Sequence, residues 1–195
     1  MATPRFMLAG QSSGCGKTTV TCAVLQALVN RGLQVGAFKC GPDYIDPMFH
    51  SRVIGAKARN LDLHFFSENT LRCLLAQNAA DRDVSVIEGV MGYYDGAGLT
   101  SEKASSYEVA QVSRTPVVLV VNARGAALSL LPVIQGFLHF RASSGIRGVI
   151  LNQCTAMTYG ALKPCIEAQC GIRCYGFLPR IAEAEVGSRH LGLIT

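Results

Sequence analysis

Short apolar or β-branched runs alternate along the chain with longer stretches in which apolar residues recur every three or four positions. A parallel sheet with crossover helices reads this way in sequence. The pattern predicts strands at Phe6–Ala9, Gln34–Phe38, Val84–Ile87, Val117–Val121, Val149–Leu151 and Cys174–Phe177. It predicts helices at Lys17–Asn30, Thr70–Asn78, Tyr107–Ser113, Leu128–Arg141 and Gly160–Gln169. Gly32, Gly145 and Gly171 each stand just before a strand, where C-terminal helix caps belong. No internal repeat or low-complexity linker breaks the series, and 195 residues fit one domain.

Ligands of open parallel sheets gather at the carboxyl ends of the strands, so the loops that follow the strands carry the chemistry. Behind the first strand comes Gly10-Gln11-Ser12-Ser13-Gly14-Cys15-Gly16-Lys17-Thr18-Thr19. This is a phosphate-binding loop: its glycines let backbone N–H groups curl around phosphates, Lys17 reaches the β/γ-phosphates and the Thr18 hydroxyl ligates Mg²⁺. The helix that follows adds its positive N-terminal end. The strict G-x-x-x-x-G-K-[ST] pattern would place glycine at 11, where the chain has Gln11, so the loop is one residue longer. Gly10, Ser13, Gly14, Cys15, Gly16, Lys17, Thr18 and Thr19 are therefore expected to bind a nucleoside triphosphate with Mg²⁺, on an α/β fold of the P-loop NTPase type, a mostly parallel sheet flanked by helices.

Behind the second strand lies Lys39-Cys40-Gly41-Pro42-Asp43-Tyr44-Ile45-Asp46-Pro47, and behind the third Glu88-Gly89-Val90-Met91-Gly92-Tyr93-Tyr94-Asp95-Gly96. Asp43 and Asp46 are flanked by two prolines that stiffen the loop. Such a pair can bind Mg²⁺, divide its work between metal and substrate, or simply be a proline turn with solvated carboxylates. Glu88 ends a buried strand, where an acidic Mg²⁺ ligand belongs in these folds. Lys39, also at a strand end, can stabilise charge developing in phosphoryl transfer. Asn122 and Asn152 follow later strands and can read a base edge or cap a turn, with Asn152 the better nucleobase candidate. His50, His64, His139 and His190 show no ligand spacing and read as structural or surface residues.

Composition removes several classes. With 49% hydrophobic residues the chain is not disordered, and its net charge of +5 is spread too thinly to form a nucleic-acid tract. No apolar stretch approaches the roughly 18 residues of a membrane span. The N-terminal apolar run is too short for a signal-peptide core, so a cytoplasmic location is expected. Eight cysteines without a C-x-x-C pair read as reduced thiols.

The long phosphate loop, the Lys39–His50 segment, Asn60-Leu61-Asp62-Leu63, the Glu88–Gly96 segment and Ser188-Arg189-His190-Leu191-Gly192-Leu193 together resemble the cobyrinate a,c-diamide synthase family. The resemblance covers essentially the whole chain. It implies a fold similar to dethiobiotin synthetase and an ATP-dependent amidoligase, in which ATP phosphorylates a carboxylate and ammonia displaces the phosphate. The implied substrate is cobyrinic acid or a related tetrapyrrole, amidated at its a and c acetate side chains. On the same resemblance Thr18, Asp43 and Glu88 hold metal, Asp46 positions or activates the reacting groups, Tyr44 and Asp95 touch substrate, and Asn152 lies near adenine. Members of that family usually carry a second, glutaminase domain with its own cysteine nucleophile, for which this chain has no segment. Residues 1–195 are thus expected to form the synthetase unit, with ammonia free or from a glutaminase, and a second copy could complete a site so open at the sheet edge. Relatives often have aspartate where this chain has Asn122, which argues against a metal role there.

Overall fold

The computed structural model describes residues 3–181. Strand β1 (Arg5–Gly10) lies in the middle of the sheet, and its last four residues are buried. Around it the described residues form a seven-stranded sheet with β2 (Val35–Cys40), β3 (Lys57–Leu61), β4 (Val84–Glu88), β5 (Val117–Asn122), β6 (Ile146–Asn152) and β7 (Arg173–Leu178). The order is β3-β2-β4-β1-β5-β6-β7, and every adjacent pair is parallel. All carboxyl ends therefore share one edge.

Between the strands run α1 (Lys17–Asn30), α2 (Ile45–Phe49), α3 (Glu68–Ala79), α4 (Ser106–Ser113), α5 (Leu130–His139) and α6 (Ala156–Cys170), with a π-helical turn at His50–Ile54 after α2. Successive strand residues point to opposite faces. Met7, Ala9, Phe38, Cys40, Ile87, Leu119 and Val121 join a core with Leu71, Leu75, Val109, Ile134 and Ile166 from α3 to α6. Leu8, Ala37, Val86 and Val120 face the other way, onto Val20 and Leu25 of α1 and Ile54 of the π turn. Ser67, Ser105 and Thr155 cap α3, α4 and α6 by accepting from Thr70 N, Glu108 N and Thr158 N.

The six expected strands and five expected helices are present, α1 with the bounds read from sequence. β3, α2 and the π turn were not expected. Gly171 caps α6 with a φ of 66°, and Gly32 (φ 78°) follows the cap residue of α1. Gly145 does not cap a helix: α5 ends at His139, and Gly145 (φ 71°) turns the chain into β6. The Ser188–Leu193 motif and His190 lie outside the described residues. Among the described residues no helix is long and apolar enough to cross a membrane.

Candidate functional site

The phosphate loop leaves β1 at Gly10 and is tied to three neighbours. Gln11 N donates to Val120 O of β5 at 3.1 Å, Tyr93 N of the loop behind β4 donates to Gly10 O at 2.8 Å, and Asn152 Nδ2 at the end of β6 donates to Cys15 O at 2.9 Å. Gly16 heads α1 at φ 92°. A side chain there would be strained by that φ and would collide with Asn152 Nδ2. Cys15 is buried, and its sulfur fills the space a Cβ on Gly10 would occupy. Its part in the loop is packing. Ser13 is exposed at the loop's crest, while Thr18 and Thr19 are half-buried at the start of α1.

Lys17 is buried and folds back along its own loop, donating to Ser12 O (3.3 Å) and to Met91 O of the loop behind β4. Burial, reinforced by the like charge of Lys39, holds its pKa below the usual lysine value against the pull of Cys15, Glu88 and Asp95. A buried ammonium held only by carbonyls has strong reason to turn to phosphate oxygens.

Beside the loop stands a buried ion cluster. Lys39 Nζ lies 2.8 Å from Asp46 Oδ2, 2.8 Å from Glu88 Oε1 and 3.9 Å from Asp43 Oδ2. Burial works against the charge on Lys39, yet the carboxylates of Glu88 and Asp46 outweigh it and raise the lysine pKa. The Thr18 hydroxyl donates to Glu88 Oε1 (2.7 Å) and lies 3.5 Å from Asp46 Oδ2. Phosphate loop and ion cluster are thus one continuous network. Behind it, His50 of the π turn is buried with Nε2 3.6 Å from Glu88 Oε2. Burial lowers the His50 pKa, and the opposing pull of Glu88 and Asp46 does not offset it.

The two aspartates have separate tasks. Asp43 Oδ1 accepts from Ile45 N (2.9 Å) and Asp46 N (3.3 Å), starting α2, whereas Asp46 turns inward to Lys39. Asn60 of β3 holds the loop from below, its amide donating to Gly41 O and Asp43 O, each at 2.8 Å. Sequence reasoning gave Asn60 no role, because its partners lie 17 and 19 residues away on another strand end.

Hard oxygen donors crowd together at Thr18, Glu88 and Asp46, the type of set that suits magnesium. Among the described residues no group of three or more His, Cys, Asp or Glu has metal-holding geometry. The arrangement fits a Mg²⁺ that takes one or two protein oxygens and fills the rest of its shell with phosphate and water. Of the aspartates, Asp46 rather than Asp43 approaches Thr18.

The remaining candidates spread around this centre. Tyr44 is 83% exposed beside Asp43. Asp95 is exposed and braces its loop by accepting from Gly92 N at 2.8 Å. Ser106 of α4 closes the same loop from behind, accepting from Val90 N and donating to Val90 O. Asn122 Oδ1 accepts from Arg124 N, the turn-capping alternative of the sequence reading. With Nδ2 engaged at Cys15, Asn152 retains Oδ1 for a base.

Comparison with known proteins places this geometry. The family model for the CobQ/CobB/MinD/ParA nucleotide binding domain (CbiA) matches residues 6–194. Cobyrinate a,c-diamide synthase of Salmonella typhimurium is 40% identical over 97% of the chain, and that of Thermoplasma volcanium 41% identical over 100%; the chain covers 42% of each relative. Hydrogenobyrinate a,c-diamide synthase of Streptomyces coelicolor is 43% identical over 83% of the chain and 33% of the relative. The chain thus spans about two fifths of the length of the first two. Among solved structures, chloroplast FtsY from Physcomitrella patens shares 14% identity with a TM-score of 0.64, over 94% of this chain and 64% of that one. Signal recognition particle 54 kDa protein from Aeropyrum pernix K1, in complex with GDP, shares 17% with a TM-score of 0.62, over 98% and 43%. Those likenesses show the P-loop fold. Together with the loop at Gly10–Thr19 and the carboxylates beside it, the match over residues 6–194 means that the chain belongs to the CobQ/CobB/MinD/ParA nucleotide-binding domain family.

Proposed function

We propose that residues 1–195 are the synthetase unit of a cobyrinate a,c-diamide synthase, a cytoplasmic ATP- and Mg²⁺-dependent carbon–nitrogen ligase of cobalamin biosynthesis. Its substrate is cobyrinic acid or a related tetrapyrrole polycarboxylate, amidated at the a and c carboxylates. The observation that carries the reading is the continuity of Thr18, Glu88, Lys39 and Asp46: a phosphate loop wired through Thr18 into a cluster that can handle a second charged reactant.

A substrate carboxylate oxygen attacks the γ-phosphorus of ATP, the bond to the β,γ-bridging oxygen breaks, and ADP leaves. Lys17 tracks the transferred phosphoryl group, and Lys39 balances charge where the carboxylate approaches. Thr18 and Glu88 would hold Mg²⁺, which would supply charge neutralisation to the phosphates when bound. Ammonia then attacks the acyl carbon, phosphate leaves with the carbon–oxygen electron pair, and a proton passes from nitrogen to Asp46 or to the departing phosphate. Tyr44 and Asp95 flank the approach and contact the macrocycle or its side chains, while Asn152 Oδ1 serves the adenine side. A glutaminase domain or subunit supplies the ammonia, and a second copy of the chain covers the open edge.

The test is phosphate release and amide formation with ATP, Mg²⁺ and ammonium, comparing cobyrinic acid, its metal-free counterpart and diaminopelargonic acid. Stimulation by a tetrapyrrole polycarboxylate, lost in Asp46→Asn, supports the reading. If no tetrapyrrole stimulates release and Asp46→Asn changes nothing, it fails; stimulation by diaminopelargonic acid alone would assign dethiobiotin synthesis instead.

A further inference from the structure

His50, read in sequence as structural or surface, is buried, and its surroundings give it a specific neighbour. It is 1% exposed, and among the described residues neither Nδ1 nor Nε2 has a hydrogen-bond partner. Facing it, Glu88 is fully buried, and its Oε2 also lacks a hydrogen-bond partner among the described residues. The two orphaned atoms, His50 Nε2 and Glu88 Oε2, point at one another across 3.6 Å. A buried carboxylate oxygen without a donor is costly, so this pair has a strong drive to close.

The other oxygen explains why closure matters. Glu88 Oε1 accepts from both Thr18 Oγ1 (2.7 Å) and Lys39 Nζ (2.8 Å). Those two donors engage Oε1 alone, and a donor on Oε2 would add the second point that fixes the plane of the carboxylate. The backbone brings His50 to this point by a π-helical turn, a form that recurs at functional sites because it re-aims a side chain relative to an ordinary α turn. Gly55, at φ 83°, ends the turn, and Ala56 N closes it onto His50 O at 2.9 Å.

We propose that His50 is a positioning residue for Glu88: its Nε2–H donates to Glu88 Oε2 and keeps Oε1 aimed at the Thr18 hydroxyl, where the nucleotide's Mg²⁺ is taken up. The relation parallels the hydrogen bonds behind metal ligands that fix a ligand's orientation. The proposal rests on the Mg²⁺–nucleotide part of the proposed function and is independent of which carboxylate is amidated.

The test uses two polar replacements of different reach. In His50→Gln the side-chain amide nitrogen extends to the position of Nε2, and in His50→Asn only to that of Nδ1. The readout is the Mg²⁺ midpoint for binding a fluorescent β,γ-imido ATP analogue, with thermal unfolding recorded alongside. Expected is a rise of about tenfold in the midpoint for His50→Asn and a return most of the way to wild type for His50→Gln. Equal midpoints in the two variants would overturn the proposal. So that the question does not hang on variants that fold, ¹⁵N NMR of the unsubstituted chain with the Mg²⁺ analogue should find the His50 proton on Nε2; a proton on Nδ1 alone overturns it. Normal Mg²⁺ coupling in a chain that amidates no tetrapyrrole would sink the proposed function and leave this inference standing.

Discussion

The Thr18 hydroxyl, one residue past the phosphate-loop lysine, donates a 2.7 Å hydrogen bond to Glu88 Oε1 at the end of β4. A metal taken up through the Thr18 oxygen would lie beside the carboxylate that accepts from the same hydroxyl. Glu88→Gln should therefore raise the Mg²⁺ requirement for nucleotide turnover by about tenfold or more. An unchanged Mg²⁺ titration would remove Glu88 from the metal shell.

Lys17 is held by two carbonyl oxygens, at Ser12 and Met91, and among the described residues by no carboxylate. No other loop side chain brings positive charge to the β/γ-phosphates. Lys17→Ala should lower kcat for ATP hydrolysis by at least about 10²-fold. Turnover within a few-fold of wild type would contradict the role.

Lys39→Met strips the common partner from Asp46 and Glu88, both buried. The expected loss is about 3–5 kcal/mol of unfolding free energy, measured by urea denaturation. Because the folded-state pKa of Lys39 is raised, its contribution is complete below the ordinary lysine value of 10.5 and fades only as pH climbs beyond it.

Asn60→Ala removes two donors from the carbonyls of Gly41 and Asp43. The expected cost is about 1–3 kcal/mol in stability. Since the loop it holds carries Asp46 and not the phosphate loop, turnover should fall while the KM for ATP holds steady. A rise in that KM alone would place Asn60 elsewhere in the mechanism.

Burial pushes the Cys40 thiol from 9.0 up to about 12. The folded protein keeps that proton between these values while the unfolded chain loses it, so stability falls as pH rises through the interval. Cys40→Ala should flatten the alkaline slope by up to one proton, about 1.4 kcal/mol per pH unit. Denaturation curves at about pH 9 and about pH 11 would show it.

Local pattern made the frame readable, because most strands are buried on both faces and read as apolar runs: Val117–Val121 cannot be mistaken. β3 escaped because it is an edge strand. Exposed Lys57 and Arg59 flank buried Ala58, so no apolar run announces it. The same limit governs the site. Lys39 and Glu88 were legible as candidates from their places at strand ends, and Lys17 and Asp46 from the segments that follow strands. Asn60 and His50 were not, since each acts on a group distant in sequence: Asn60 on the Gly41–Asp43 backbone, His50 on Glu88. Asn152 was noticed for its position and assigned to a base, yet its amide nitrogen reaches back 137 residues to the carbonyl of Cys15.

The three ties on the phosphate loop, from Val120, Tyr93 and Asn152, bear on the thermodynamics of ligand capture. A glycine-rich segment left to itself would surrender much conformational entropy on wrapping an anion. Here that entropy was already given up when the sheet assembled. Nucleotide association should accordingly behave as docking to a rigid cradle, with the free energy of phosphate contact going into affinity rather than into ordering the chain.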